Sequence, residues 1–310
     1  MLKYTLKRFI YMIITIWIII TVTFVMMHSI PGNPFSSAKS LPKQTKANLN
    51  AKYGLDKSLT TQYNLFLKNL VFHGSLGESY TYPGVTVNSI IRERAPVSAA
   101  LGAEALVIAI AFGIIFGIIA AFKRNHWQDY TVMIIAILGI AIPSFVLAAL
   151  LQYFLTVKIE LLPTSGWGGI NHTILPALSL SLGIMAVYAR YMRSSCIDVL
   201  GQDYIITAQA KGVSKVPLIW RHVIRNAILP AITILGQQIA SVVTGTFVIE
   251  SIFSIPGIGR YFVTSISNRD YSIILGTTIF FAIVYIVSVY LVDILYCFVD
   301  PRIRLSGSGK

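Results

Sequence analysis

The sequence is poor in charged residues and in cysteine. Only 12% of its 310 residues are charged and 55% are hydrophobic, whereas soluble domains carry about a quarter charged residues. This composition excludes an ordinary soluble globular domain and predicts a polytopic membrane protein. The two cysteines, Cys196 and Cys297, have neither metal-binding nor redox spacing, so they indicate no disulfide framework and no zinc site.

Acidic residues are scarce as well. There are 12 of them against 25 lysines and arginines, for a net charge of +13. The basic residues cluster beside apolar stretches, where membrane topology and anionic lipid explain them. We therefore expect membrane lipid as a partner and no nucleic acid.

Catalytic and cofactor motifs are missing. The five histidines stand singly, without H-x3-H or H-E-x-x-H spacing, and no G-x-S-x-G is present. The terminal GSGK has Arg304 where a phosphate-binding loop needs its first glycine, and Gly257 and Gly259 have no third glycine after them. We expect no metal, no cofactor and no catalytic residue in this chain, so a membrane enzyme is disfavoured.

Six apolar stretches are long enough to cross a membrane as helices. They cover roughly residues 9–30, 97–122, 130–157, 174–192, 231–250 and 273–298. The first is longer than the core of a signal peptide, so we expect it to be retained. Lysine and arginine in the short flanks favour both termini inside the cell. The prediction is an all-α polytopic membrane protein with six transmembrane helices, N-in and C-in.

These spans predict four regions along the chain. They are an N-terminal segment with the first span (1–30), a large first extracellular segment (31–96), a core of five spans (97–298) that includes a cytoplasmic loop at 194–230, and a cytoplasmic tail (299–310). The extracellular segment is too long for a simple connection and should carry helices of its own, for example over residues 59–72. It is either a cap over the outer mouth or a lid packed on the bundle.

Polar residues inside spans are candidates for a transport pathway, because ionisable groups are costly in hydrocarbon. The candidates are Glu104, Gln237, Gln238 and Thr244. A shallow or bundle-facing position is the alternative for Glu104, and hydrogen bonds between helices are the alternative for the others. An ion-driven carrier needs carboxylates near the membrane midplane, and only Glu104 comes close.

The most distinctive stretch is DYIITAQAKGVSKVPLIWRHVIRNAILP, residues 203–230, which we call the 203–230 loop. Residues 202–211 predict a short helix that Gly212 ends. Ser214 begins a second helix that continues until Pro230. The pattern is a helix, a tight turn and a second helix between two apolar spans.

Small residues in this loop, Ala208, Ala210 and Gly212, would let it enter a groove on a partner protein. An amphipathic hairpin lying on lipid is the alternative.

At these residues the sequence resembles a known family. TAQAKG followed by HVIRNAILP is similar to the EAA loop of ATP-binding-cassette importer permeases, in the oligopeptide and dipeptide branch, B-type subunit. The glutamate, two alanines and glycine of the motif fall at Ile206, Thr207, Ala208 and Gly212, so the acidic position is apolar here. Six other stretches also resemble that branch, in order and spacing: residues 6–34, GSLGES, RERAPVSAALG, ARYMRSSCIDVLGQDYI, ESIFSIPGIGR and DPRIR.

The resemblance implies a type I importer permease fold in a bacterial cell membrane. A homologous C-type permease subunit would complete the pathway, and two cytoplasmic ATPases, which bind the ATP and magnesium, would each receive one EAA loop. The residues expected to couple to an ATPase are Asp203, Tyr204, Thr207, Ala208, Ala210, Lys211, Gly212 and Pro230.

The resemblance also implies an extracellular binding protein that delivers peptides to this chain. Candidate docking residues on the outer side are Glu250, Phe253, Pro256, Gly257 and Gly259. The chain itself would be a translocation subunit that hydrolyses nothing. A permease of the same family for nickel, glutathione or another small solute stays open, as does the ion-driven secondary transporter.

Overall fold

The computed structural model describes residues 2–29, 35 and 42–299. Regular structure in these ranges is helical, apart from one isolated antiparallel bridge between Glu78 and Thr86. The helices are α1 (Leu2–Ser29), α2 (Lys43–Tyr53), α3 (Leu59–His73), α4 (Val87–Phe122), α5 (Trp127–Ala141), α6 (Ser144–Gln152), α7 (Ile170–Leu200), α8 (Asp203–Ala210), α9 (Lys215–Pro217), α10 (Arg225–Ala227), α11 (Leu229–Thr233), α12 (Leu235–Ile252), α13 (Ile258–Asn268) and α14 (Tyr271–Val299). Two π-helical segments, Tyr153–Lys158 and Leu218–Ile224, follow α6 and α9. The predicted all-α class is confirmed.

Four helices within the described residues are long and apolar enough to cross a membrane. They are Leu6–Ser29, Val87–Phe122, Ile170–Leu200 and Tyr271–Val292, which correspond to the first, second, fourth and sixth predicted spans. The fifth predicted span falls on α11 and α12 and is not among them. Two glutamines and a glutamate lower the hydropathy of α12, and turns at Ile228 and Ile234 interrupt the chain before it.

The third predicted span, residues 130–157, is not one straight helix. Helix α5 and the α6 segment that ends at Lys158 are bent by 102° at the break between them, and they pass as a membrane crossing only as a pair. Pro143 explains the break, because it has no N–H and disfavours a helical residue before it. Ile142 is accordingly extended, with φ −85° and ψ 118°. The described part of the chain therefore has four candidate spans, or five if the bent pair counts as one.

The chain divides into two compact units, and the first contains, among the described residues, 2–5, 99–255 and 285–299. Its core runs along α7, where Tyr188, Met192 and Cys196 are fully buried. Helix α4 packs closely on this helix at Gly113, where an added Cβ would lie 2.8 Å from the carbonyl oxygen of Met185. Glycine at this position allows the two backbones to approach, as small residues do in membrane bundles.

The second unit contains residues 6–98 and 256–284. The helix predicted over residues 59–72 is present as α3, and the Ser58 hydroxyl caps it by accepting a hydrogen bond from the Thr61 N–H. On this helix, Tyr63 and Phe66 pack toward Phe24 of α1, with ring centroids 5.2 and 6.5 Å away. The predicted segment thus forms real helices with aromatic packing.

A buried carboxylate organises the loop before α4. Asp270, which directly precedes α14, accepts hydrogen bonds from the Ser79 hydroxyl and from the N–H groups of Tyr80 and Thr81, at 2.9 and 3.0 Å for the latter two. It also accepts from the N–H of Ile273 in the first turn of α14. One carboxylate therefore holds the 79–81 turn and caps a helix.

Candidate functional site

The first arm of the 203–230 loop is α8, and Gly212 ends it as predicted. Gly212 has φ +76°, the left-handed region that favours glycine. Its N–H donates to the Gln209 carbonyl at 2.9 Å, and the Val213 N–H donates to the Ala208 carbonyl at 3.1 Å. These two bonds form a Schellman motif, which satisfies carbonyls that the end of the helix leaves open.

The second arm is helical where the sequence predicts it, but it is not one regular α-helix. It begins as α9, widens into the π-helical segment Leu218–Ile224 and ends as α10 at Ala227. Pro217 contributes no N–H, and the Leu218 N–H donates to the Ser214 carbonyl at 3.1 Å. Pro230 lies in the first turn of the next short helix, α11, a position that proline tolerates.

One face of each arm of the loop packs against α7. The buried residues of this face are Ile205, Ala208, Leu218, Val223 and Ala227, and they belong to the same hydrophobic cluster as Tyr188, Met192 and Cys196. Val213, the residue after the turn, packs against that cluster too. The loop and α7 therefore share one core, so a displacement of the loop must be transmitted to α7 unless that core opens.

The opposite face exposes apolar side chains. Tyr204 and Ile206 on α8 are 43% and 57% exposed, and Val216 and Trp220 on the second arm are 66% and 67% exposed. Lys211, Arg221 and Arg225 are exposed among them. Large exposed apolar side chains rimmed by charge are typical of an interaction surface.

The structure separates the predicted coupling residues into two groups. Asp203, Tyr204, Thr207, Ala210, Lys211, Gly212 and Pro230 are exposed, whereas Ala208 is only 8% exposed and faces the core. Sequence reasoning also left out Ile206, Val216 and Trp220 as surface residues. The signal for the last two is their spacing, because Val216 and Trp220 are four residues apart in a helical stretch with polar neighbours.

Sequence reasoning missed an ion pair beside this loop. Arg193 of α7 donates from Nε to one Asp129 oxygen and from Nη2 to the other, the latter at 2.7 Å. Asp129 of α5 is 2% exposed and also accepts from the Asn125 N–H at 3.1 Å. Such a bidentate pair fixes the orientation of both groups. The only sequence signal for it is a lone aspartate at the start of an apolar stretch.

The candidate pathway residues have ordinary helical environments. Glu104 is half-buried and accepts a hydrogen bond from the Thr173 hydroxyl at 2.9 Å, which links α4 to α7. On α12, Gln237 is exposed and Gln238 half-buried. Thr244 lies on the same helix, and its side chain is outside the part of the chain that the structure describes.

The candidate docking residues lie mostly inside the chain. In the first unit, Glu250 and Phe253 are buried, and the Phe253 carbonyl accepts from the Gly166 N–H at 2.8 Å. In the second unit, Pro256 is half-buried and Gly257 and Gly259 are buried. Four of these five residues are therefore buried, and Pro256 alone among them is half-buried.

Metal-binding groups of three or more histidine, cysteine, aspartate or glutamate residues do not occur within residues 2–29 and 42–299.

Comparison with known proteins identifies the family. Residues 113–305 match the family described as "Binding-protein-dependent transport system inner membrane component", and residues 1–102 match the one described as "Binding-prot-dependent transport system membrane comp, N-term". The chain belongs to this permease family. It is therefore a non-catalytic, multi-pass component of an inner membrane, and it works with a binding protein and an ATPase.

Named relatives align with this permease over its full length. It is 46% identical over 309 residues to the dipeptide transport system permease protein DppB of Bacillus subtilis, with 100% of both chains covered. It is 43% identical over 306 residues to the oligopeptide transport system permease protein OppB of Salmonella typhimurium, covering 98% of this chain and 100% of that one. The resemblance to the oligopeptide and dipeptide branch is confirmed.

Proposed function

We propose that this permease translocates dipeptides or oligopeptides delivered by an extracellular peptide-binding protein, and that two ATPase subunits drive it. We infer the class of the transported solute from one observation. The chain is similar over its full length, at 46% and 43% identity, to permeases named for dipeptide and oligopeptide transport. A homologous C-type permease subunit would complete the pathway. ATP and magnesium would be bound by the ATPases and not by this chain.

The 203–230 loop is the proposed contact with the ATPase. Its exposed face offers Tyr204, Ile206 and Trp220 to a groove, while Ile205 and Ala208 hold the opposite face on α7. When the ATPases close around ATP, the loop would move together with α7, because the two share one core. That motion would shift the bundle between its two access states.

The proposed topology keeps six spans with both termini inside. The bent α5 and α6 pair would serve as the third span and α12, preceded by α11, as the fifth. The first extracellular segment would be residues 31–96, the five-span core residues 97–298 and the tail residues 299–310, of which 300–310 lie outside the described residues. Glu104, Gln237, Gln238 and Thr244 remain proposed pathway residues.

Docking of the binding protein is proposed on the outer side, around the ESIFSIPGIGR stretch. Glu250 and Phe253 are buried in the first unit, so they would not themselves meet the partner. The exposed side chains of the adjoining α13, Arg260, Val263 and Ile266, would be the ones that a partner meets.

Uptake by the reconstituted transporter tests the proposal. Proteoliposomes with both permease subunits, the ATPases and the binding protein should accumulate a labelled dipeptide only when ATP is supplied inside. Excess unlabelled dipeptide should compete, whereas nickel and glutathione should not. Competition by either of these two solutes and not by peptide would overturn the cargo assignment.

A second experiment distinguishes the ATP-driven mechanism from an ion-driven carrier. Uptake that persists without ATP and stops when the ion gradient is collapsed would overturn the ATP-driven mechanism. The Glu104→Gln variant tests the same alternative, since we expect it to keep ATP-driven uptake. Lost uptake with intact assembly and ATP hydrolysis would instead support a carboxylate-dependent carrier.

A further inference from the structure

The second unit contains a cavity of about 500 Å³ that the transport mechanism above does not use. It is lined by the end of α1, by α2 and α3, by the 75–86 stretch and by the start of α14. This volume lies within the range of about 300 to 1,000 Å³ that is usual for small-ligand sites. The cavity can therefore hold a molecule of the size of a short peptide.

Charged groups of both signs line this cavity. Lys52 and Lys57 supply two ammonium groups and Glu78 one carboxylate. Lys52 Nζ lies 3.4 Å from a Glu78 carboxylate oxygen, and the two side chains are 57% and 44% exposed. An exposed ion pair of this kind contributes little to stability, so a ligand with charges of both signs can replace it at small cost.

The rest of the wall is aromatic. Phe24 and Phe66 lie on one part of it, and Tyr53 packs edge-on against Tyr80, with ring centroids 4.8 Å apart. Burial raises the pKa of Tyr80 to about 12, so this side chain stays neutral and adds no charge to the cavity. Such a wall suits apolar side chains of a ligand.

Both ring nitrogens of a histidine in the wall face protein oxygens. His28 Nδ1 lies 2.9 Å from the Phe24 carbonyl, and Nε2 lies 3.1 Å from Gln62 Oε1. A second hydrogen bond orients the Gln62 amide, because Gln62 Nε2 donates to the Lys57 carbonyl at 2.8 Å. His28 therefore supports the wall, and the lysines and the glutamate are left as the groups that meet a ligand.

We propose that this cavity binds a short peptide in its zwitterionic form, with the peptide carboxylate at Lys52 and Lys57 and its ammonium group at Glu78. The inference rests on the peptide cargo proposed above and adds a second place where that cargo is held. Two cations and one anion match the ends of a free peptide, whereas a blocked peptide lacks one of these matches. The aromatic wall takes the peptide side chains.

Calorimetric titration of the assembled transporter tests this site, in nanodiscs without the binding protein and without nucleotide. The probe is the dipeptide alanyl-phenylalanine. We expect Lys57→Met and Glu78→Gln each to weaken binding about tenfold, because the first removes a charged donor and the second replaces a carboxylate by a neutral amide that accepts more weakly from the peptide ammonium group. The matched control is Lys68→Met, an exposed lysine of α3 outside the cavity, which should bind the peptide as the unaltered chain does.

Blocked peptides and an inorganic anion complete the experiment. N-acetylation should weaken binding to the unaltered chain and should cost nothing further in Glu78→Gln. Equal binding by all variants would overturn the proposal. Displacement of the peptide by inorganic phosphate at the same concentration as the peptide would also overturn it. If ATP-driven uptake persists while this binding is absent, the cavity proposal fails and the import function stands.

Discussion

Arg193 of α7 and Asp129 of α5 form a bidentate ion pair, in which two guanidinium nitrogens donate to the two carboxylate oxygens. The carboxylate is almost fully buried, while the guanidinium is 27% exposed. Helix α7 leads directly into the 203–230 loop. The ion pair therefore fixes α7 to the start of α5, the first of the two helices that are bent at Pro143. Breaking it should loosen that connection without touching the loop itself.

Replacement of Asp129 by asparagine leaves Arg193 without its counter-charge. We expect the free energy of unfolding to fall by about 2–3 kcal/mol, toward the low side for a buried pair because Arg193 is partly exposed. Chemical or thermal unfolding of the purified chain measures this. Arg190→Gln, an exposed arginine one turn earlier on α7, is the control and should change little. An equal effect of both substitutions would contradict a specific role for the pair.

Substitution of Gly212 by alanine should destabilise the end of α8. An added Cβ meets no atom within 4 Å, so the cost is the left-handed backbone, about 1–2 kcal/mol. Amide hydrogen exchange of residues 203–213 should become faster. Gly201→Ala is the matched control, because Gly201 has φ −81° and room for a Cβ. Asparagine at 212 should be tolerated better than alanine, and the reverse order would argue against a strained turn.

The substitutions Ala208→Arg and Ala210→Arg should affect different properties of the chain. Ala208 is buried against α7, so a charge there must either lie unpaired in the core or open it, at several kcal/mol. Ala210 is exposed, so the same change should leave unfolding unaltered and weaken ATPase association instead. Unfolding and pull-down with the ATPase separate the two effects. If Ala208→Arg folded normally and only lost the ATPase, the inward position of Ala208 would be incorrect.

Truncation of Trp220 tests the exposed face of the 203–230 loop. Trp220 is 67% exposed, so Trp220→Ala should leave the free energy of unfolding almost unchanged. A tryptophan at the centre of an interface often contributes at least about 2 kcal/mol, so ATPase binding should weaken by more than about tenfold. Trp127→Ala is the control, since Trp127 is 71% exposed on α5. Unaltered ATPase affinity in Trp220→Ala would remove this residue from the proposed surface.

Sequence reasoning located the elements of the loop but not all of its contacts. The stop at Gly212 and the break before Pro230 are local signals, each decided by the backbone of one or two residues. The inward position of Ala208 and the outward position of Trp220 depend on how the two arms lie on α7. The small side chains that suggested a contact surface serve partly to bring α8 close to that helix.

By itself, the sequence determined the helical class, the apolar stretches and the family, because hydropathy, glycine and proline signals and the order of motifs are properties of neighbouring residues. Tertiary structure decided what distant residues do together. It paired Asp129 with Arg193, 64 positions apart, buried Glu250 and Phe253, and bent the third predicted span by 102° at Pro143. Burial and pairing depend on which helix faces pack against each other, and side chains far apart in the chain determine that packing.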